Sequence, residues 1–548
     1  MIDNIQDEAL ARQDCKDQER LEAIRQPWEE SYREIDDRFP SGAGGFNAET
    51  PGTMRGHRNY DSTHITSLGR FKAAMVSTTT PEQSDYIRPR FLDDDLMKLR
   101  EVKLWCAYAG RRLYQIRHAA HTGFGIAAHE DWDQLGRYGT SAVWQEATPR
   151  GLVYQCLHLS EIWIDVDFAG RVNRVHRKFE RTAAQCEELF GLEALTPKMR
   201  DALKEGGDKN RKFQILHVVA PNREWDQDTM NHLRFPISSR YLAMDEKIYV
   251  ERKGYHTMPV SVSRHATSAG EIYGRSPAFN VMPNIQGASA MKKTTLRAAH
   301  KSVDPALIFY DDEGVSKLST KAGGLTPGLV DERGNVLVHR MPGGENGIPF
   351  ALEMIQDEQK TVRTEFLEEF YATLTDPNSR MTTTEVLERM AKQGVLVRPY
   401  ASRYATEKQD PMTQRDLDLA LRAGQIDPFP AVVLEAGAWP VIDYENPLAV
   451  MARAENTAKT MRYVEYATAV GTLEQTPAAD TVDIDQALRE GATEIGVNPL
   501  IIRSPEMVAK IRAKRAEREQ AAVDAELLKN SAGAVKDLAQ AGAISEAA

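Results

Sequence analysis

Three histidines near residue 120 come closest, by residue type and spacing, to a metal-binding set. His118 and His121 stand at i and i+3, and His129 follows shortly after. Imidazole nitrogens at this spacing could share one ion, but no carboxylate stands where a helical metalloprotease site would place it. Ordinary packing or helix capping explains the three histidines better than a metal ion does.

The glycine motifs that bind nucleotide phosphates are missing or misplaced. No GxxxxGK followed by Ser or Thr occurs, so the loop whose backbone N–H groups hold phosphates is absent. Gly123 and Gly125 followed by Ala128 imitate a dinucleotide-binding fingerprint, but they follow a helical pattern and that motif needs a preceding strand. We expect a helix–helix turn here.

The remaining candidates for catalysis are equally weak. Asp93, Asp94 and Asp95 could hold Mg²⁺, yet acids in a first helical turn are already explained by the helix dipole. No GxSxG segment occurs, and no Ser, His and Asp set stands out among 13 histidines. Four cysteines without a CxxC pair indicate reduced structural thiols rather than a disulfide framework or a zinc site: Cys15, Cys106, Cys156 and Cys186. The sequence therefore predicts no enzyme, no metal and no cofactor.

Length and charge narrow the class of protein. The chain has 548 residues, of which 41% are hydrophobic and 27% charged, enough for several packed units with real cores. Its formal charge of −11 argues against a cationic nucleic-acid binder, so any DNA contact should be local or geometric. The apolar stretches are shorter than the roughly 18 residues that span a bilayer, and the first residues do not read as a secretory signal. We expect no membrane association and a chain that stays in the cytoplasm where it is made.

The first half of the chain predicts helices followed by strands. Residues 4–38 read as one amphipathic helix, a second opens at Ser62 or Thr63 and stops before Pro81, and a third runs from Asp93 towards His121. Between residues 140 and 262, short β-rich runs alternate with polar turns: VWQEA, GLVYQCLHL, IWIDVDF, VNRVHRKFE, KFQILHVVA and KIYVERKG. This region should be a mixed α+β unit built on an antiparallel sheet.

Two oppositely charged helices are predicted to flank a β insert. Residues 277–303 form the first helix, whose ionisable residues are all basic: Lys292, Lys293, Arg297, His300 and Lys301. Residues 351–374 form the second, with two bases, Lys360 and Arg363, against six acids: Glu353, Asp357, Glu358, Glu365, Glu368 and Glu369. The Gly-rich segment 304–350 between them holds ALIFY and VLVHR as strands. We expect the helices to pack side by side, with the insert projecting beyond their far ends.

The last third reads as mostly helical. A polar loop, DPNSRMTT, precedes a helix at about 384–392, and further helices are predicted at 404–423, 446–470 and 484–495. A charged helix begins at Ser504, and the last residues should fray.

Several segments together resemble the head-to-tail connector, or portal, family of short-tailed bacteriophages. The most specific segment is GEIYGRSP at residues 270–277, within a longer match that runs from RHATSAG to HKSVDPALI. Weaker matches follow in family order: RQPWEESYREIDDRFP, YDSTHITSLGRFKAAMVSTTTP, YGTSAVWQE, MTTTEVLERM and NPLIIRSPEMVAKIR. The resemblance covers about residues 25–515.

That resemblance implies an α+β portal fold assembled as a ring of twelve copies at one capsid vertex. The implied regions are an N-terminal region and wing (1–276), a first stem helix (277–303), a clip (304–350) and a second stem helix (351–374). They continue with a tunnel loop (375–384), a wing return (385–445), a helical crown (446–503) and a C-terminal helix or barrel with a frayed tail (504–548). Double-stranded DNA would enter through the ring, driven by a terminase, and leave through it later. The other implied partners are tail adaptor, major capsid and scaffolding proteins, and the implied location is the virion.

The implied site residues fall into two groups. Asn378, Ser379 and Arg380 would lie in the tunnel loop facing DNA. Six stem residues would face the channel or a neighbouring copy: Lys292, Lys293, Arg297, Glu365, Glu368 and Glu369. Twelve copies at −11 each would carry about −132, so acidic walls would repel phosphates and let DNA slide.

Two other functions stay open at this point. Another ring component of the virion neck or tail would join at the tail end without affecting packaging. A cytoplasmic hydrolase with an inconspicuous site would be a stable monomer or dimer, which a mass measurement would show.

Overall fold

The structure is a computed structural model in which α-helices and antiparallel sheets are mixed, as the α+β prediction requires. It describes residues 2–40, 45–47, 59–82, 84–227, 231–304, 306–309, 333–336, 338–340, 347–368, 371, 399–445, 484–494, 503 and 505–522. The chain divides into two compact units. The first comprises residues 1–87, 112–427 and 446–448, and the second comprises residues 88–111, 428–445 and 449–548.

The N-terminal helices have nearly the predicted bounds. Helix α1 is Ile2–Arg38 and α2 is Thr63–Thr79. The predicted third helix is instead two, α3 (Asp94–Lys98) and α4 (Arg100–Arg117), because Leu99 has extended backbone angles. Helix α5 (Phe124–Tyr138) follows after the turn that the glycines predicted, with Gly123 in the left-handed region at φ 68°.

Strands follow where β-rich runs were predicted, and three more strands in this part of the chain were not predicted. The bounds are β1 Ile87–Arg90, β2 Thr140–Thr148, β3 Gly151–Leu157, β4 Ile162–Val166, β5 Val172–Thr182, β6 Lys212–Pro221, β7 Ile237–Ala243, β8 Ile248–Tyr255 and β9 Val260–Arg264. The three that were not predicted are β1, β7 and β9. Serines interrupt the apolar pattern of β7 and β9, and Ser239 and Ser263 are nevertheless fully buried.

Two antiparallel sheets form the centre of the first unit. One has the order β4-β5-β6-β7-β8 and the other β3-β2-β9. Alternate residues of β6 face opposite sides: Leu216 and Val218 pack with Ala11 and Cys15 of α1, and Phe213 belongs to the core on the other side. That second core includes helices α6 (Ala183–Phe190) and α7 (Pro197–Leu203).

Two helical segments, residues 277–303 and 348–365, form a hairpin with a small two-stranded sheet at its end. A turn at Val281 splits the predicted first helix into α8 (Pro277–Asn280) and α9 (Met282–Val303). Strands β10 (Leu307–Phe309) and β11 (Val338–Arg340) pair antiparallel inside the predicted insert. Helix α10 (Ile348–Glu365) is interrupted before the predicted residue 374, because Leu367 adopts a positive φ of 57°, and the described residues Glu368 and Tyr371 are helical again.

The chain returns to the first unit through a helix with one irregular turn. Residues 399–404 are α-helical, Ala405–Gln409 form a π-helical turn, and α11 (Asp410–Arg422) continues. Two buried ion pairs hold this segment: Lys408 Nζ lies 2.8 Å from Asp131 Oδ1, and Arg117 Nη2 lies 2.6 Å from Asp416 Oδ2. The prediction of a helix at 404–423 is confirmed, but the π turn within it was not predicted.

The described part of the second unit is smaller. It contains α12 (Ala431–Ala436), β12 (Val441–Tyr444), α13 (Ile484–Glu494) and a helix at residues 505–522. Strand β12 pairs with β1. The rings of Trp105 and Phe429 pack together, with 4.8 Å between their centroids. The predicted helices at 384–392 and 446–470 lie outside the described residues.

Candidate functional site

The α9–α10 hairpin is an antiparallel helix pair whose base is apolar and buried. Met282, Ile285 and Ala288 of α9 are buried, as are Ile355 and Val362 of α10. Their spacing places each set on one helical face, so the two faces can close against each other and the rest of the unit. The base of the hairpin is thus part of the core of the first unit.

Side-chain amides, not opposite charges, join α9 to α10. Asn284 Nδ2 donates to Glu358 Oε2 at 2.6 Å, and Asn280 Nδ2, at the end of α8, donates to Glu365 Oε1 at 2.7 Å. Among the described residues no ion pair connects the two helices. The prediction that the two helices pack side by side is therefore confirmed, but apolar side chains and amides make the contact rather than their opposite charges.

A carboxylate just before α2 ties both helices to the N-terminal region. Asp61 accepts hydrogen bonds from Lys292 Nζ of α9 (3.1 Å), from Gln359 Nε2 of α10 (2.7 Å) and from the backbone N–H of Thr63 (3.2 Å). Burial by itself would raise the pKa of the Asp61 carboxyl, but these hydrogen bonds outweigh it and hold the pKa below its ordinary value. Asp61 is therefore an ionised anchor for both helices.

Two neighbouring contacts complete this anchor. The backbone N–H of Tyr60 donates to Ser289 Oγ at 3.1 Å, and Lys293 Nζ lies 5.3 Å from the centre of the Tyr60 ring. We call Tyr60, Asp61 and the side chains that they contact on α9 and α10 the Asp61 brace. The Asp61 brace therefore holds the lower part of the hairpin against the N-terminal region of the same chain.

The end of α10 is held by a second set of contacts from α2. Ser67 Oγ donates to Glu368 Oε2 at 2.9 Å, and Arg70 forms an ion pair with the same carboxylate. Phe366 is fully buried, with its ring 5.9 Å from that of Phe71. The helix end and its positive-φ residue are therefore fixed against α2.

The predicted stem residues are distributed over these contacts. Lys292 pairs with Asp61, Lys293 lies over Tyr60, and Arg297 is exposed beyond the brace. Glu365 accepts from Asn280, and Glu368 pairs with Arg70. Glu369 and the three tunnel-loop residues, Asn378, Ser379 and Arg380, lie outside the described residues. The structure does not bring the five described stem residues into one cluster.

Sequence reasoning missed the residues that organise the hairpin. Asp61, Ser67 and Arg70 stand in an ordinary polar run, YDSTHITSLGR. The one local signal is that Asp61 accepts from the N–H two residues later, an arrangement typical of Asp near a helix start. Its partners are more than 200 positions away, at Lys292 and Gln359, and no spacing rule reveals them.

The GEIYGRSP segment joins the three-stranded sheet to the base of the hairpin. Gly274 packs so closely that a Cβ there would lie 2.2 Å from the carbonyl oxygen of Gly139. Ser276 Oγ donates to the Arg137 carbonyl at 2.6 Å and accepts from the N–H of Phe279 at 2.9 Å, which caps α8. These glycine and serine roles are structural.

A cavity in the first unit lies beside this segment. It has a volume of about 530 Å³ and is lined by Ile24, Pro27, Trp28, Gly270, Glu271, Ile272, Tyr273, Arg275 and Phe279. Arg275 is paired with Glu271 at 2.6 Å and stacks over the rings of Trp28 and Phe279. With its only charges paired, the cavity offers no group for acid–base or nucleophilic chemistry.

The chemistry-bearing residues of the sequence have structural surroundings. Asp93 Oδ1 accepts from the N–H of Asp95 at 2.8 Å and caps α3. His118 packs on Tyr114, with 4.6 Å between ring centroids, and burial lowers its pKa to about 4. Within the described ranges, no three His, Cys, Asp or Glu side chains gather as a metal site would require, and no helix has the length and apolarity to cross a bilayer.

A family model and two known proteins each match this chain over most of its length. The family model described as "Bacteriophage head to tail connecting protein" matches residues 13–502. A "Probable portal protein" of Bordetella phage BPP-1 is 26% identical over 528 residues, which are 93% of this chain and 92% of the relative. The "Portal protein" of Salmonella phage epsilon15 is 22% identical over 467 residues, 82% of this chain and 81% of the relative.

A structural comparison adds less. A solved structure described as "Neck of empty GTA particle computed with C6 symmetry" aligns at a TM-score of 0.36 and 11% identity, over 76% of this chain and 94% of that chain. A likeness of that strength supports no argument about function.

Proposed function

The chain belongs to the bacteriophage head-to-tail connecting protein family, and from that premise we propose that it is a portal protein whose copies form a DNA-conducting ring. Proteins of this family are structural and non-enzymatic. The observation that carries the proposal is the family match over residues 13–502, supported by two curated portal relatives that are covered over most of their length.

In this proposal the α9–α10 hairpin is the stem of each copy. Residues 277–303 and 351–374 would be the stem, 304–350 the clip and 375–384 the tunnel loop. Residues 1–276 and 385–445 would form the wing, 446–503 the crown, and 504–548 a C-terminal helix or barrel with its tail. A helix pair that is braced at its base and carries a two-stranded sheet at its far end supports this assignment.

The ring would contain twelve copies and sit at one vertex of the virion capsid, after synthesis in the bacterial cytoplasm. A terminase would drive double-stranded DNA in, and tail adaptor proteins would bind at the clip. Major capsid and scaffolding proteins would contact the outside. The net charge of −11 per chain supports a conduit that does not retain DNA, because like charges repel the phosphates.

Electron microscopy and native mass measurement of the purified full-length chain test the ring. We expect closed rings of about twelve copies with an axial hole wide enough for duplex DNA. A chain that stays monomeric or dimeric under every condition, or that turns over a substrate, would refute the proposal. Rings that join only at the tail end of particles, with packaging unaffected, would favour a neck component instead.

A second experiment tests the tunnel loop. Arg380→Ala should alter packaging or retention of DNA in a packaging assay while leaving ring assembly intact, because a lone base near the channel would contact phosphates transiently. Arg515→Ala, at an exposed position in the helix 505–522, is the matched control. Equal packaging by both variants and the wild type would remove Arg380 from the proposal.

A further inference from the structure

Two different kinds of contact hold the two halves of α1 to the first unit. After Pro27, the side chains of Trp28, Tyr32 and Ile35 pack in the main apolar core. Before Pro27, residues 8–26 lie against the five-stranded sheet, and we call this segment the α1 strap. The buried side chains of the strap are apolar at three positions, Ala11, Cys15 and Leu21, and polar at three others, Asp14, Gln18 and Arg25.

A largely buried ion pair provides much of the contact between the α1 strap and the sheet. Asp14 accepts hydrogen bonds from Nε and Nη2 of Arg240, at 2.9 Å and 2.8 Å, and from Oη of Tyr249 at 2.8 Å. Burying two charges costs free energy that their attraction does little more than offset, so the intact pair adds little net stability. The strap is therefore held less firmly than the half of α1 that packs in the apolar core.

Three further ion pairs join the edges of the α1 strap to the sheet. Their side chains are between 19% and 49% exposed, so water and dissolved salt screen the attraction. The pairs are Asp17 with Arg174, Arg20 with Asp165, and Glu22 with Lys178. Such pairs position the strap on the sheet but contribute little to keeping it there.

Pro27 lies at the boundary between the α1 strap and the rest of the helix. Proline has no N–H, so the hydrogen bond that would reach the carbonyl of Ala23 is missing at this turn. The cavity of about 530 Å³ beside the GEIYGRSP segment also borders the turn, with Ile24 and Trp28 among its lining residues. A bend at Pro27 therefore has one hydrogen bond fewer to break and open space beside it.

His176 of β5 is fully buried beneath the α1 strap. Its Nδ1 lies 3.0 Å from Gln18 Oε1, and Gln18 Nε2 donates to Glu22 Oε1 at 2.9 Å. The Gln18 oxygen thus faces the imidazole as an acceptor, which places the proton of neutral His176 on Nδ1. Among the described residues, Nε2 of His176 has no hydrogen-bond partner. A second proton on this ring would therefore have no acceptor while the strap is closed.

The charged groups that face His176 are two of each sign: Asp14 and Asp17 on the α1 strap, Arg174 on β5 and Arg240 on β7. Burial is the largest influence on the ring and lowers the pKa of His176 to about 4. With the strap open, the ring would meet water and its pKa would return to about 6.5. Protonation below pH 6.5 therefore favours the open strap over the closed one.

We propose that the α1 strap is releasable and that it opens about Pro27 while the sheet and the rest of the first unit stay folded. Opening would uncover Leu216, Val218 and Leu242, together with Arg240, whose carboxylate partner leaves with the strap. The closed strap thus covers a face that is apolar at its centre and basic at its edge. The proposal rests on contacts within one chain and does not depend on the ring.

Two cysteines distinguish opening of the α1 strap from unfolding of the whole unit. Cys15 is buried beneath the strap with Leu216 and Val218, whereas Cys186 is buried in the core on the other side of the same sheet. Unfolding exposes both thiols, but opening of the strap exposes Cys15 alone.

Labelling of the full-length chain with N-ethylmaleimide, followed by peptide mass spectrometry, measures how often each thiol is exposed. Each rate is divided by the rate of the same thiol in urea at the same pH, which removes the intrinsic reactivity. We expect normalised labelling of Cys15 to be at least about tenfold faster than that of Cys186. Equal rates would overturn the proposal, because one unfolding event would then expose both thiols.

Breaking the central ion pair tests what holds the α1 strap. Asp14→Asn leaves Arg240 without its carboxylate and should speed Cys15 labelling by at least about tenfold while leaving Cys186 unchanged. Glu407→Gln is the matched control, because it removes the carboxylate from another largely buried arginine, Arg264, outside the strap. If Asp14→Asn speeds the labelling of both thiols equally, the pair stabilises the whole unit and the proposal fails.

Replacing the proline tests the position of the bend. Pro27→Ala restores the missing N–H and makes α1 harder to bend, so it should slow Cys15 labelling by at least about threefold. Unchanged labelling in this variant would show that the strap does not open about Pro27.

A pH series tests the part played by His176. Normalised Cys15 labelling should rise roughly tenfold between about pH 7.5 and pH 5 and stay faster than that of Cys186. His176→Asn keeps an N–H that can donate to Gln18 but does not titrate, so this variant should lose most of the rise. The same rise in wild type and variant would overturn the role of His176 in opening.

Discussion

Replacing Lys408 by methionine removes one half of a buried ion pair in the π-helical turn. Lys408 and Asp131 are 1% and 0% exposed, and Lys408 Nζ also donates to the Ser261 carbonyl at 2.9 Å. Methionine is unbranched and apolar and can occupy much of the same space, so the main change is the uncompensated carboxylate. Breaking a buried pair by removing one partner costs about 3–5 kcal/mol.

The surroundings place the expected loss near the lower end of that range. Asp131 keeps two hydrogen bonds, from Ser141 Oγ at 2.6 Å and from Tyr404 at 3.0 Å, which still stabilise its charge. The Ser261 carbonyl, however, loses a donor, which costs about 1 kcal/mol more. We expect Lys408→Met to lower the free energy of unfolding by about 3–4 kcal/mol in total.

Urea denaturation of the full-length chain, followed by tryptophan fluorescence at fixed protein concentration, measures this loss. The Trp132 ring packs against that of Tyr404, with 4.5 Å between their centroids, and therefore reports on the same region. Lys98→Met is the matched control, because its pair with Asp95 is 75% and 87% exposed and should leave the midpoint unchanged.

A double variant tests the reason given for the loss. Adding Asp131→Asn to Lys408→Met removes the unpaired charge and keeps an amide whose oxygen can accept from one of the two hydroxyls, Ser141 or Tyr404, while its NH2 group can donate to the other. It should recover at least half of the lost free energy. Equal midpoints for Lys408→Met and Lys98→Met, or a further loss in the double variant, would show that the pair does not hold the return segment as described.

Three further outcomes follow from the described contacts. Burial lowers the pKa of His176 to about 4 and that of His265 to about 3, so both imidazoles stay neutral in the folded chain. Because the unfolded chain takes up protons below about pH 6.5, the free energy of unfolding should fall as the pH drops from 6.5 towards 4. His265→Phe should make this acid unfolding measurably less steep. Gly274→Ala should lower the melting temperature sharply, because the new Cβ would meet the Gly139 carbonyl. In Gly287→Ala of α9 the new Cβ would have no neighbouring atom nearer than 4.0 Å, so this variant should raise the free energy of unfolding by up to about 1 kcal/mol. Equal shifts of the two variants in a thermal scan would contradict this. Asp61→Ala should speed amide hydrogen exchange in α9 and α10, because both helices lose their anchor. The control Asp208→Ala, in an exposed turn, should leave this exchange unchanged. Unchanged exchange in the Asp61→Ala variant would mean that the brace is dispensable.

Local patterns in the sequence predicted most elements. The amphipathic periodicity of residues 4–38 and the β-rich runs after Thr140 correspond to α1 and to six of the strands. Breaks within predicted helices were missed at Leu99, Val281 and Leu367, none of which is glycine or proline. Tertiary packing sets the backbone there, and local propensity is too weak to oppose it.

The candidate site was only partly predictable. The sequence identified the two helices, their charges and the insert between them, and the family resemblance gave their order. The sequence did not indicate the partners of the charged side chains. Lys292 pairs with Asp61, just before α2, and Glu368 pairs with Arg70 of α2. The tunnel-loop residues Asn378, Ser379 and Arg380 remain a prediction.

Composition and periodicity by themselves determined that this is an acidic, multi-unit α+β chain with a helix–insert–helix centre, and the resemblance of several segments indicated the connector family. These properties depend on neighbours along the chain, within a few turns or strands. Only the tertiary structure decided which charged side chains find partners within the chain and which stay exposed. Asp61, for example, accepts hydrogen bonds from Lys292 and Gln359, which are more than 200 residues away in sequence. Contacts over such separations arise from the packing of whole elements, and a carboxylate in a polar run carries no mark of the cation it will meet.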